Sequence, residues 1–169
     1  AIAKEAKELG IEMLVLDDGW FGNRNHDECG LGDWYVNEEK IKGGLKDFVD
    51  KINKIGLKFG LWFEPEMISP DSDLYRVHPD WAIQVPDREG TLSRYQYVLD
   101  ITRQEVVDYI YECVANILRS ANIEYVKWDM NRTLTDIGSF GLDAEHMGEF
   151  FHRYVLGLYQ LQERLVTEF

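Results

Sequence analysis

The stretch Tyr125-Val126-Lys127-Trp128-Asp129-Met130-Asn131-Arg132 decides how this chain folds. With Ile123 before them, Tyr125 and Val126 favour extended backbone, so residues 123–129 are expected to form a strand that ends in polar groups. Side chains alternate along a strand, which puts Lys127 and Asp129 on one face and Trp128 on the other. A cation two residues from a carboxylate keeps that carboxylate ionised. An ionised carboxylate at a strand end is what a nucleophile or general base needs. Taken alone, these residues read better as a strand-end ion pair; the other strand ends change the balance.

Outward from this stretch the same pattern repeats. Residues 11–16 are a short apolar run bounded by Gly10 and by Asp17-Asp18-Gly19, and so short a run suits a buried strand. Residues 57–63 form a second run, which stops at Glu64-Pro65-Glu66 because proline cannot continue sheet pairing. Residues 97–101 read as a third strand, with Asp100 near its end, and 123–129 as the fourth. Helices separate them. Residues 1–9 are helix formers closed by Gly10, and Leu45, Phe48, Val49, Ile52 and Ile55 recur at helical spacing before Gly56. Thr102-Arg103-Gln104-Glu105 has the form of a capping box before the apolar face Val106, Val107, Ile110, Val114, Ile117 and Leu118. Asp143 is expected to cap a final helix with a stripe from Met147 to Leu165. Such alternation predicts an α/β fold with a parallel sheet and right-handed crossovers. Two long excursions, 21–44 and 68–95, interrupt the alternation, and a loop as long as the first is usually functional.

Composition narrows the chemistry. Eighteen basic and 31 acidic residues give a net charge of −13 over 169 residues, which disfavours nucleic acid and anionic membranes as partners. No apolar run approaches the roughly 20 residues of a bilayer span, and no signal-peptide pattern opens the sequence. Cys29 and Cys113 form no motif, so a reducing, cytoplasmic setting is expected. His26, His78, His146 and His152 show no metal-ligand spacing and read as surface or turn residues. The glycines match neither phosphate-binding loop pattern. Ala1 and Phe169 both fall inside helical patterns, as expected of an excerpt from a longer chain. One domain, 1–169, accounts for every element.

Polar groups therefore collect at the strand ends, where β/α proteins build sites. Asp17 and Asp18 follow a wholly apolar run, and function is somewhat ahead of a turn-capping role. Trp62 is balanced between core and site. Glu64 and Glu66 admit a solvated loop role, the better one for Glu66. Asp100 reads as a helix starter, and Arg94 alone as a surface charge. Clustered acids could hold Mg²⁺ for phosphate chemistry. Acids beside tryptophan fit a sugar, whose hydroxyls donate to carboxylates and whose C–H face packs on an aromatic ring. The missing phosphate loop favours the sugar.

The motifs Leu-Asp-Asp-Gly-Trp-Phe-Gly (16–22), Gly-Leu-Trp-Phe-Glu-Pro-Glu-Met (60–67), His-Pro-Asp-Trp (78–81) and Lys-Trp-Asp-Met-Asn-Arg (127–132) together make the chain similar to bacterial α-galactosidases of glycoside hydrolase family thirty-six. The resemblance runs over nearly the whole chain, with the motifs in the family's order. It implies a retaining hydrolase on a (β/α)8 TIM barrel, of which this chain would be a part of about four parallel strands with flanking helices. It implies α-galactosides such as melibiose, raffinose and stachyose as substrates, no cofactor, no metal and a homo-oligomeric parent enzyme. By position in the motifs, Asp129 matches the nucleophile. Asp17, Asp18, Lys127 and Arg94 match hydroxyl-binding positions, Trp62 an aromatic of the sugar site, and Asn131 lies in the nucleophile motif. The family's acid/base aspartate follows a later segment that finds no match here. A galactosyl transferase resembling raffinose synthase and a non-catalytic galactoside-binding half-barrel stand as alternatives.

Overall fold

The computed structural model describes all residues, 1–169. Five helices and five strands follow in the order α1 (Ile2–Glu8), β1 (Met13–Leu16), α2 (Gly44–Lys54), β2 (Lys58–Phe63), β3 (Met67–Ile68), α3 (Asp73–Val77), β4 (Tyr97–Val98), α4 (Gln104–Ser120), β5 (Tyr125–Trp128) and α5 (Phe150–Glu168). The main sheet is parallel and three-stranded, in the order β1-β2-β5. Leu16 lies opposite Leu61, and Phe63 opposite Trp128. β2 is central, and Phe59 to Phe63 are buried without interruption. A strand covered on both faces has no polar side to show, which is why it reads as a continuous apolar run. β1 and β5 each pair along one edge only and are partly exposed.

The expected third strand is corrected. Only Tyr97 and Val98 are extended, and they pair antiparallel with Ile68 and Met67 in a separate two-stranded ribbon. β5, not β4, occupies the place beside β2. The residues 97–101 are apolar because they are buried beneath the excursion, with the Leu99 N–H donating to the Glu66 carbonyl. Two helix starts also differ. Thr102 does not cap α4: its N–H and hydroxyl donate to Asp100, and the helix begins after Arg103 with no side-chain cap. Asp143 accepts from the His146 N–H in a turn well before α5 starts.

The excursions are packed. Trp20, just before the first excursion, and Phe21 and Trp34 within it cluster with Trp62 and Phe63 of β2, with ring centroids 4.3–6.2 Å apart. This aromatic block packs on the C-terminal end of β2. Asp33 anchors the first excursion to the second, where its carboxylate accepts from the N–H groups of Asp73 and Leu74 at the start of α3. α5 packs against α4 and approaches the backbone closely at Gly157, where a Cβ would meet the Ile101 carbonyl oxygen at 2.0 Å. No helix is long and apolar enough to cross a membrane.

Candidate active site

Asp129 follows the last residue of β5, and its N–H donates to the Phe63 carbonyl at 2.8 Å, so sheet geometry still governs its backbone. Its Oδ2 accepts from Trp62 Nε1 at 3.0 Å and from Asn131 Nδ2 at 2.8 Å, and its Oδ1 from the Met130 N–H at 2.9 Å. Burial pushes the Asp129 carboxyl up. The bonds from Trp62, Asn131 and Met130, with a smaller contribution from Lys127, outweigh burial and hold it below the ordinary carboxylate range. Lys127 lowers Asp129 in the expected sense but makes no hydrogen bond to it. Its Nζ instead pairs with Asp17 Oδ2 at 3.1 Å, and that contact pushes the ammonium up.

Of the other expected residues, Trp62, Asn131 and Arg94 are linked by hydrogen bonds to this carboxylate, whereas Asp17 meets Lys127 and Asp18 meets Arg24. Asp17 and Asp18 leave the end of β1. Asp18 is gripped by Arg24, with Nε 3.0 Å from Oδ1 and an NH2 2.8 Å from Oδ2, a two-point fork. Trp62 is both core and site: it is 3% exposed, yet its one polar atom reaches Asp129. Arg94 comes from the tip of a turn rather than from a strand end. The residues Ser93 and Gln96 pair across it, and Arg94 and Tyr95 between them have φ of 52° and 57°. From there the Arg94 guanidinium donates to Asn131 Oδ1 at 2.9 Å. Arg94, Asn131, Asp129 and Trp62 thus form one hydrogen-bonded chain. A cleft of about 570 Å³ lined by Ser93, Arg94, Met130, Asn131, Arg132, Thr133 and Leu134 opens beside it, within the size range of small-molecule sites.

Glu64 and Glu66 take other roles than the sequence suggests, and Arg24, Arg132 and Tyr154 contribute without a local sequence sign. Glu66 is corrected: it is 2% exposed, not a solvated acid, and accepts from Trp128 Nε1 at 2.9 Å and the Tyr154 hydroxyl at 2.6 Å. Burial and the Glu66 carboxylate push the Tyr154 phenol up, so it stays a donor. Glu64 is equally buried and accepts from the Asn131 N–H. Arg132 is buried and donates to the carbonyls of Thr91 and Gln96, holding the turn that carries Arg94. Arg24 binds Asp18 from six residues away in an irregular loop, and Tyr154 reaches Glu66 from 88 residues away; no local pattern marks either. Two acids directly after a fully buried strand were the one available sign for Glu64 and Glu66.

A parallel β/α sheet with a charged, hydrogen-bonded site at its strand ends defines a strand-end enzyme-type architecture. The chain belongs to the Melibiase family, whose model matches residues 1–169. Alpha-galactosidase AgaA of Geobacillus stearothermophilus is 54% identical over 168 residues, which cover 99% of this chain and 23% of that protein. Alpha-galactosidase 1 of Pediococcus pentosaceus is 55% identical over the same shares. The crystal structure of an AgaA variant in complex with raffinose superposes with a TM-score of 0.97 at 53% identity, over 99% of this chain and 23% of that one. The chain spans just under a quarter of the length of these relatives.

Proposed function

We propose that this chain forms part of the catalytic barrel of a retaining α-galactosidase acting on melibiose- and raffinose-type oligosaccharides, with Asp129 as nucleophile. The observation that carries this is the environment of Asp129: a carboxylate kept anionic by neutral donors, beside an open cleft, in a chain of this family. Asp129 attacks the anomeric carbon from the β face as the bond to the leaving oxygen breaks. A second carboxyl gives its proton to that oxygen, then takes one from the water that releases α-galactose. Asp17, Asp18, Lys127 and Arg94 receive the galactose hydroxyls. Trp62 and Asn131 hold the nucleophile.

The second carboxyl comes from outside these residues. In retaining enzymes it stands about 5–5.5 Å from the nucleophile and must carry a proton. The nearby acids are all committed as acceptors: Asp17 to Lys127, Asp18 to Arg24, Glu64 to Asn131, and Glu66 to Trp128 and Tyr154. The open edges of β1 and β5 support a larger barrel. Apolar grooves run along both, one lined by Leu14, Val15, Leu16 and Phe48, the other by Ile123, Val126, Trp128 and Leu165. Further β/α units would cover them.

The test is Asp129→Asn in the full-length enzyme. Hydrolysis is expected to fall at least about a thousandfold, and added azide to restore turnover of an activated aryl α-galactoside. Activity near wild type would rule out this assignment.

A further inference from the structure

β5 ends at Trp128, and the ladder with β2 ends one residue later, where the Asp129 N–H meets the Phe63 carbonyl. The residues that follow, Met130 to Arg132, have no neighbouring strand to fix them. Pro65 ends β2 on the other side, since it lacks the N–H that would extend the pairing. Asn131 nevertheless has to be fixed, because its side chain joins Asp129 to Arg94.

Glu64 does the work a strand would have done. Its Oε1 accepts from the Asn131 backbone N–H at 2.6 Å and from Gln96 Nε2 at 3.0 Å. One oxygen therefore ties together the segment that carries Asp129 and the turn that carries Arg94. The tie is supported from behind. The Gln96 N–H and carbonyl close the turn with Ser93, and Arg132 donates to that same carbonyl at 2.7 Å. Glu64 and Gln96 are each 2% exposed, so neither reaches a substrate, and the carboxylate acts only through the Asn131 backbone and the Gln96 amide.

We infer that Glu64 is a positioning residue, which sets the Asn131 side chain between the Asp129 nucleophile and the Arg94 hydroxyl-binding group; this rests on the galactosidase reading above. Removing the carboxylate frees the Asn131 backbone. Asn131 then no longer fixes Oδ2 of Asp129 along the line of attack. Displacing a reacting group by as little as ~1 Å can cost on the order of a hundredfold.

The experiment compares Glu64→Ala, Glu64→Gln and Glu64→Asp in the full-length enzyme, with kcat and KM on an aryl α-galactoside normalised to the folded fraction. Glu64→Ala is expected to lower kcat by about 10–100-fold while KM moves little. Glu64→Gln keeps an acceptor for the Asn131 N–H, and Gln96 can turn its amide to match, so most of the rate returns. Should the alanine protein fail to fold, Glu64→Asp, with the carboxylate drawn back by one methylene, is expected to lose kcat in the same sense. A kcat within about twofold of wild type in the alanine or aspartate protein overturns the inference, as does equal loss in the glutamine and alanine proteins. Such results leave the galactosidase reading standing. A wild-type enzyme with no α-galactosidase activity overturns both.

Discussion

At the scale of single residues, the site is a set of carboxylates in different company. Asp129 is held by neutral donors, Asp17 and Asp18 by cations, and Glu66 by an indole and a phenol. Neutral donors lower a carboxyl without cancelling its charge, which suits a nucleophile. Trp62→Phe keeps an aromatic ring in the cluster and deletes the strongest of the bonds that lower Asp129. Its carboxyl then titrates at a higher pH, so the acidic limb of kcat/KM is expected to shift upward; an unmoved limb would count against the assignment. The sign follows from the native state: a carboxyl held low stays charged as pH falls, and losing a donor shortens that range. Arg24→Ala leaves Asp18 without its fork. Because the Asp18 carboxylate is partly in water, kcat/KM is expected to fall by only about tenfold, mostly through KM.

At the scale of elements, the excursions and not the strands supply most of the site's precision. Arg94 and Tyr95 occupy the left-handed region at consecutive positions, a conformation that costs bulky residues on the order of 1–3 kcal/mol each. The turn keeps that shape because Arg132 and Glu64 hold Gln96 at its base. The strain and its restraints put Arg94 over Asn131. α5 is positioned by a close approach. Gly157→Ala would push a methyl into the Ile101 carbonyl, and stability is expected to fall by about 1–3 kcal/mol. Denaturant titration should show a lower midpoint at unchanged slope. Elements of this kind are hard to read in advance. Residues 97–101 carry the apolarity of a strand, yet burial comes from the loops around them and the sheet position goes to β5.

At the scale of the whole molecule, the apolar surfaces are unequal to the chain that carries them. Beyond the two open sheet edges, α5 presents Phe151, Val155, Tyr159 and Val166 to solvent as well as burying Phe150, Tyr154, Leu161 and Leu165. A helix apolar on two sides is built to pack on two sides. The 169 residues by themselves are therefore expected to self-associate in sedimentation and not to hydrolyse melibiose. Clear turnover by the isolated chain would contradict the argument that the second carboxyl lies elsewhere.

Sequence alone determined the β/α alternation, the parallel pairing of the strands now seen as β1, β2 and β5, and the position of Asp17, Asp18, Trp62, Lys127 and Asp129 at strand ends. These follow from local rules: short apolar runs, breakers after them, and alternation along a strand. The tertiary structure alone decided what each of those groups touches. Lys127 turned to Asp17 rather than Asp129, and Trp62 turned its indole N–H to Asp129. Glu64 and Glu66 went inside, because Asn131, Gln96, Trp128 and Tyr154 brought donors to them. A buried acid is stable only where donors converge on it, and those donors come from segments 32 to 88 residues away. No window along the chain contains that information.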